Sequence, residues 1–514
     1  MGVAGPVGPA TRRGRDTERL PPSDRRAKRC REWTSGRRTA AVTVTPSSNY
    51  LTTGQVSCVS VGMFENVLLL VADSLRQDFL ATNQTDTPTL DRLRRDGVDF
   101  TRARSPGPGT SVSTPALLSG AFPFTYGYKD ISPDRPMVAP RLSEAGYDTA
   151  GYHSNGWCSA ERGYARGFDD FHQFTEDRAA DPVVRGVRRL LRELKSGFPN
   201  HPRLTDLRRT ELGEAVGNRV FEAVARTIPE ARNDVTVDAS KLHGRLLEWV
   251  DATASPRFVW HQYMDTHFPY MAPDSEFTPS EQLWLNYRLT RNRVAGRSIP
   301  PAEQRSILGL YREEITYLDR ELGTLLRGLE SRGELSETLI VFTADHGELL
   351  GEFGQFGHRS ARLGSPLTHV PLVVWSEDLP ARRVHTPVSL VDVVPTIYDY
   401  LGVAPPDGLD GRSLRPVIDG DEEPTTPALS EMGHDPMDFG GPPSKETTVV
   451  SVETDSDLVV GDWLHDDPPS EDLPEYELLR GRREMLDAGD DSYAGDSDMS
   501  GGTKRRLRDL GYLE

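Results

Sequence analysis

Residues 67–72 are six apolar positions in succession, followed at once by Asp73. A run of that length without polar alternation predicts a strand buried on both faces. Residues 90–95 read as a helix, and 113–118 can open another. Short strands are predicted at 148–152 and 257–263. Ile307, Tyr311, Ile315, Leu318, Leu322, Leu325 and Leu329 fall on one face of a long amphipathic helix over 307–329. Strands follow at 338–342 and 370–375. Strands alternating with helices predict an α/β fold with a mostly parallel central sheet flanked by helices.

The pattern divides the chain further. Residues 1–62 show no apolar periodicity and are rich in Arg, Pro and Gly, without the apolar stretch of a secretory signal. We expect a disordered basic extension there, or a biological start at Met63. The expected catalytic domain is 63–420. Within it, 178–245 reads as a helical insertion. Val184, Val187, Leu190, Leu191 and Leu194 form one face of a helix, and Arg185, Arg188, Arg189, Arg192 and Lys195 the other. Residues 421–514 read as a small acidic subdomain with strand candidates at 447–452 and 457–460 and a helical ending, LRDLGYLE.

Charge narrows the function classes. The chain of 514 residues carries 60 Lys+Arg against 78 Asp+Glu, a net −18. Residues 1–62 hold 11 basic and 4 acidic residues, or +7, so the remainder is at −25. Such a chain is a poor general binder of nucleic acid. Only six of the basic residues are Lys. An acidic, Arg-over-Lys surface suits a salt-loaded cytoplasm, where screening removes self-repulsion. We therefore expect a halophilic, cytoplasmic protein; a rival reading holds it at the membrane periphery by the basic helix 184–195. No apolar run reaches the length of a spanning helix. Three cysteines, two of them in the leading segment, exclude a disulfide framework.

Candidate chemistry sits at strand ends. Asp73 follows the strand 67–72, and Asp345-His346 follow 338–342. Ligands in open α/β sheets bind outside the carboxyl ends of strands. If these two strands are neighbours, two carboxylates and an imidazole converge. Such a donor set suits a divalent Zn, Mn, Mg or Ca ion rather than a soft metal. Thr110 and Ser113 lie where Pro and Gly lead into a helix. A hydroxyl there meets unpaired N–H groups and the positive end of the dipole, a setting that favours an anionic ligand. His261, Asp265 and His267 cluster at the end of the strand 257–263, and His358 lies in a Gly-rich loop. Loop histidines can bind an anionic ester or protonate its leaving group.

Together these segments resemble the sulfatase family of the alkaline phosphatase superfamily. NVLLLVADSLRQDFL resembles its first strand and metal aspartate, and TSVSTPALLSG its nucleophile segment. GYDTAGYHSNGWCSAERGYARGFDDF, WHQYMDTHFPY, LIVFTADHGELLGEFGQFGH, VPLVVWS and VSLVDVVPTIYDYLGV follow in family order. The resemblance runs from about Phe64 to Ile418. It implies Asp73, Asp345 and His346 as metal ligands, and Thr110 as the nucleophile that also touches the metal. It implies His267 and His358, with Ser113, at the substrate. Formylglycine-forming members have Cys or Ser at the nucleophile, Pro two residues on and Arg four residues on. Here Thr110, Val112 and Thr114 stand instead. A second acidic ligand is replaced by Ser74, and an Asn ligand by His346.

A Thr nucleophile with an Asp-His pair resembles the phosphodiesterase and phosphotransferase members. The expected activity is metal-dependent hydrolysis or transfer of sulfate or phosphate esters. The substrate would be an anionic ester, glycan-borne or lipid-linked. The alternative is a catalytically inactive anion-binding or envelope-assembly protein on the same fold.

Overall fold

The computed structural model describes residues 63–485, except 82–83, 127, 129–130, 175–238, 359–362, 421–427, 434–447, 455 and 465–466. The leading segment, most of the expected insertion with its basic face, and the ending LRDLGYLE lie outside the described residues.

The strands are β1 (Asn66–Ala72), β2 (Val98–Arg104), β3 (Asp148–His153), β4 (Asp170–Gln173), β5 (Arg257–Tyr263) and β6 (Thr338–Ala344). Then come the short pair β7 (Leu349–Leu350) and β8 (Phe356–Gly357), then β9 (His369–Trp375), β10 (Arg382–Val384) and β11 (Val388–Ser389). The central sheet runs β10-β2-β9-β6-β1-β5-β3-β4, with β11 also on β2. β6, β1, β5, β3 and β4 are parallel. β9 runs antiparallel to both neighbours, so the sheet is mixed, though mostly parallel. Every residue of β1, β5 and β6 is buried, because helices cover both faces of the middle of the sheet.

The helices used below are α1 (Pro88–Asp96), α2 (Thr110–Ser119), α3 (Ala239–Ala252), α4 (Pro279–Ala295), α5 (Pro301–Arg332), α6 (Val393–Leu401) and α7 (Tyr476–Glu484). α5 starts on Pro301, whose missing N–H costs nothing at a first turn, and stops at Gly333 (φ 72°). Its apolar stripe is buried as the periodicity predicts. The stripe also carries Asp319, which accepts the N–H groups of Thr89 (3.0 Å) and Leu90 (2.7 Å) and so caps α1 from a distance.

β2 was not foreseen. Its sequence, VDFTRAR, is broken by charges whose partners are remote: Arg102 and Arg104 both pair with Glu453. A separate antiparallel sheet, β12 (Ala428–Met432), β13 (Val449–Glu453) and β14 (Leu458–Asp462), packs with α7 against α2. Leu429, Val450, Val452 and Leu479 share one apolar cluster with Val112 and Ala116.

Candidate active site

β1 and β6 pair in register, Ala72 with Ala344, and β5 places Tyr263 at the same level on the other side of β1. The next residue on each of β1 and β6 is therefore the expected carboxylate, Asp73 or Asp345. Ligand-capable atoms of Asp73, Asp345 and His346 all lie within 4.8 Å of one another, and all three residues are buried. His346 Nε2 is 3.5 Å from Asp73 and 3.8 Å from Asp345. His346 Nδ1 meets the Gly347 carbonyl at 2.7 Å. That bond places the proton on Nδ1 and turns the Nε2 lone pair toward the carboxylates.

The turn after β1 is fixed rather than loose. Ser74 has φ 65°, a conformation that a non-glycine residue holds only when its surroundings impose it. Its N–H reaches Asp345 (3.3 Å) and its hydroxyl reaches Asp73 (3.0 Å). Its carbonyl accepts the Tyr311 hydroxyl of α5 (2.7 Å), and the same hydroxyl accepts Arg76 N–H (3.0 Å).

Thr110 is the first residue of α2, while Gly109 occupies the cap position. Its side chain is thus free of capping. The hydroxyl donates to Asp73 Oδ2 (3.1 Å) and lies 3.2 Å from His346 Nε2. Ser113 is placed differently. Its hydroxyl is fully buried and donates to the Asp345 main-chain carbonyl (2.5 Å), which ties α2 to the end of β6.

The histidines divide. His267 turns back under the β5 end, its N–H on the Met264 carbonyl (3.1 Å), and is fully buried despite lying in a turn. Its ring is 5.4 Å from His358, which is 4.5 Å from His346. His358 Nδ1 meets Glu348 Oε1 at 3.1 Å. His261 points the other way, its ring edge-on to Tyr152 and tilted against Tyr263 and His243. Asp265 accepts the N–H of Ala239 at the start of α3 (3.1 Å).

Two polar residues that the sequence reading passed over complete the site. Asn155 accepts Trp157 N–H on Oδ1 (2.8 Å), which aims Nδ2 at Asp73 Oδ2 (2.6 Å) and at the Thr110 hydroxyl (3.4 Å). Gln262 Nε2 reaches Asp345 (3.0 Å) and Asp73 (3.4 Å). Gln262 carried a signal, because a buried amide inside an apolar strand demands a polar partner. Asn155 carried a weaker one, as a polar residue just past the end of β3.

The electrostatics call for a cation. Burial first, and then Asp345, push the Asp73 carboxyl upward; His267 and His346 only partly offset this. Burial alone would depress His346, but Asp345 and Asp73 outweigh it and the ring is shifted upward. Burial holds His267 down at about 4, with Asp73 pulling against it. Burial raises Glu348, while Arg293 and His267 lower it. Two buried carboxylates side by side bind a proton or a metal ion, and the donor set of two oxygens and one imidazole fits a divalent ion.

The sequence profile described as Sulfatase matches residues 65–403, well over half of the chain. Arylsulfatase K of Danio rerio is 29% identical over 272 residues, 44% of this chain and 51% of the relative. The chain thus spans about half the length of that relative. N-acetylglucosamine-6-O-sulfatase of Bacteroides thetaiotaomicron is 23% identical over 412 residues, 71% of this chain and 72% of the relative. In three dimensions the chain resembles the phosphonate monoester hydrolase of Silicibacter pomeroyi, with TM-score 0.56 and 23% identity over 82% of this chain and 95% of that one. The strand-end carboxylates, the hydroxyl of α2 and the matched profile agree: the chain belongs to the sulfatase family.

Proposed function

We propose that the protein hydrolyses or transfers sulfate or phosphate esters, with Thr110 as the nucleophile. The observation that carries this is the Thr110 hydroxyl, which donates to Asp73 at the first turn of a buried helix, beside His346. Asp73, Asp345 and His346, with the Thr110 oxygen, would hold a divalent metal ion. When bound, the ion would supply Lewis acidity, favouring the ionised hydroxyl and offsetting charge on the ester's non-bridging oxygens.

The chain's own groups do the rest. Asp73 Oδ2 takes the hydroxyl proton as Thr110 Oγ1 bonds to sulfur or phosphorus. The bond to the leaving oxygen breaks, and that oxygen receives a proton from His267 or His358, whichever ring the bound anion holds in its charged form. Glu348 holds the Nδ1 proton of His358, so exchange with the leaving group runs through Nε2. Asn155 Nδ2, already oriented, donates to the attacking oxygen or to a non-bridging one. Water or a second alcohol then bonds to the sulfur or phosphorus and gives its proton back to the histidine; the bond to Thr110 Oγ1 breaks, and that oxygen regains its proton from Asp73.

Thr110 cannot follow the formylglycine route, so the family name fits the ancestry of the fold better than a sulfate-only activity. The similar proteins include one named for a sulfated sugar and one named for a phosphonate ester. Both fit an anionic ester substrate, glycan-borne or lipid-linked. The test is metal analysis of the purified protein with turnover of matched aryl sulfate, phosphate monoester, phosphodiester and phosphonate monoester substrates. Stoichiometric divalent metal with turnover of at least one series is expected. Bound metal with no turnover of any would favour a non-catalytic anion-binding protein.

A further inference from the structure

Arg293, in the last turn of α4, belongs to none of the motifs that marked the site. Its guanidinium stands over the Phe268 ring, 4.7 Å from the centroid. Gly357 is also against it: a Cβ there would come within 2.8 Å of Nε and 3.2 Å of Cζ. Phe268 adjoins His267 and Gly357 adjoins His358, so the guanidinium lies against both loops that carry the site histidines. Gly357 has φ 95°, so a side chain is disfavoured there on two counts.

Both terminal nitrogens of Arg293 are shielded, and among the described residues neither has a hydrogen-bond partner. Two other arginines, Arg76 and Arg257, are buried and well supplied with acceptors. Arg76 pairs with Asp78, Glu352 and the Glu348 carbonyl. Arg257 pairs with Glu334, Thr253, Ser255 and the Val250 carbonyl. Glu348, whose carboxyl feels Arg293 more than any other neighbouring charge, spends Oε1 on His358 and makes no hydrogen bond to the guanidinium. Burying a charged fork without acceptors is strongly unfavourable, and an anion supplied from outside the chain removes that penalty.

We infer that Arg293 binds an anionic oxygen of the substrate beside His267 and His358, and so selects esters that present an oxyanion there. This rests on the ester-hydrolase reading and adds to it a recognition residue outside the motif positions. The planar fork, stacked on Phe268, suits two oxygens of one sulfate, phosphate or carboxylate group.

The test uses the full chain and its Arg293→Lys and Arg293→Gln variants, with folding checked by circular dichroism. Kinetics are measured on an aryl ester and on the same ester bearing a carboxylate beside the scissile bond. In Arg293→Gln, KM should rise about tenfold or more for at least one of the two, with kcat changed less. Arg293→Lys, which keeps the charge and the stem, should recover part of the loss. A rise for both substrates assigns the clamp to the ester's own oxygens; a rise for the carboxylated one alone assigns it to a second anion. Unchanged KM for both overturns the inference.

A second readout is the melting temperature of metal-free protein with inorganic sulfate or phosphate at constant ionic strength. A rise in the wild type that shrinks in Arg293→Gln is expected. No rise in the wild type, or equal rises in both, overturns the inference. Should the wild type turn over no ester yet show the Arg293-dependent rise, the clamp stands and the hydrolase reading falls. Should it turn over esters with KM and melting rise independent of Arg293, the hydrolase reading stands and the clamp falls.

Discussion

Asp73 and Asp345 each stand one residue beyond the paired Ala72 and Ala344, so two fully buried carboxylates leave adjacent parallel strands side by side. Removing one charge has opposite effects on metal binding and on the metal-free fold. Asp345→Asn should lose divalent metal on gel filtration. Its metal-free melting temperature should stay level or rise, because a buried like-charge repulsion is relieved. Retained stoichiometric metal in this variant would remove Asp345 from the ligand set.

Thr110→Ala should lower turnover at least about a thousandfold, since a nucleophile has no substitute at its position, while most metal binding persists. Ser113→Ala should act on stability instead. It deletes the buried hydroxyl that ties α2 to the Asp345 carbonyl, a loss of about 1–2 kcal/mol by chemical denaturation. If Ser113→Ala abolished turnover and Thr110→Ala did not, the two roles would have to be exchanged.

His243 and His261 give the fold a dependence on pH. Burial depresses His243 to about 3 and His261 well below the usual range. Both rings are neutral in the folded chain, whereas in the unfolded chain each gains a proton below about 6.5. Stability is therefore intact above that pH and is lost as the pH falls. Each ring contributes about 1.4 kcal/mol per pH unit once its unfolded form is protonated. Denaturant titrations between pH 7 and 4.5 should show this fall, and His243→Gln should reduce the slope by one proton. An identical slope in the variant would show that His243 is not a neutral buried ring.

The −25 carried by residues 63–514, with almost no Lys, should make stability depend on salt. The melting temperature should climb markedly between low salt and molar KCl, as screening relieves self-repulsion. A flat or falling midpoint over that range would return the composition to an ordinary acidic protein.

Asp73, Asp345 and His346 were readable because they follow apolar runs, and ligands gather at the carboxyl ends of buried parallel strands. Thr110 and Ser113 were marked alike by the Pro and Gly before them and the helix that follows; only the resemblance to the family singled out Thr110. The direction of β9 was not, because an apolar run looks the same in either orientation. β2 was hidden by Arg102 and Arg104, whose carboxylate lies some 350 residues away, at Glu453. Arg293 was hidden for the opposite reason. Nothing near it in sequence distinguishes it from the arginines of an exposed helix end; only the loops of Phe268 and Gly357, folded over it, do so.

All ten residues of α2 are buried, and Val112 and Ala116 receive part of their cover from β12, β13 and α7. Those covering residues leave the ribosome more than 300 positions after Thr110. Until they dock, the segment that bears the hydroxyl lacks part of its wall, whatever the state of the central sheet. Competence for chemistry therefore comes late in biosynthesis.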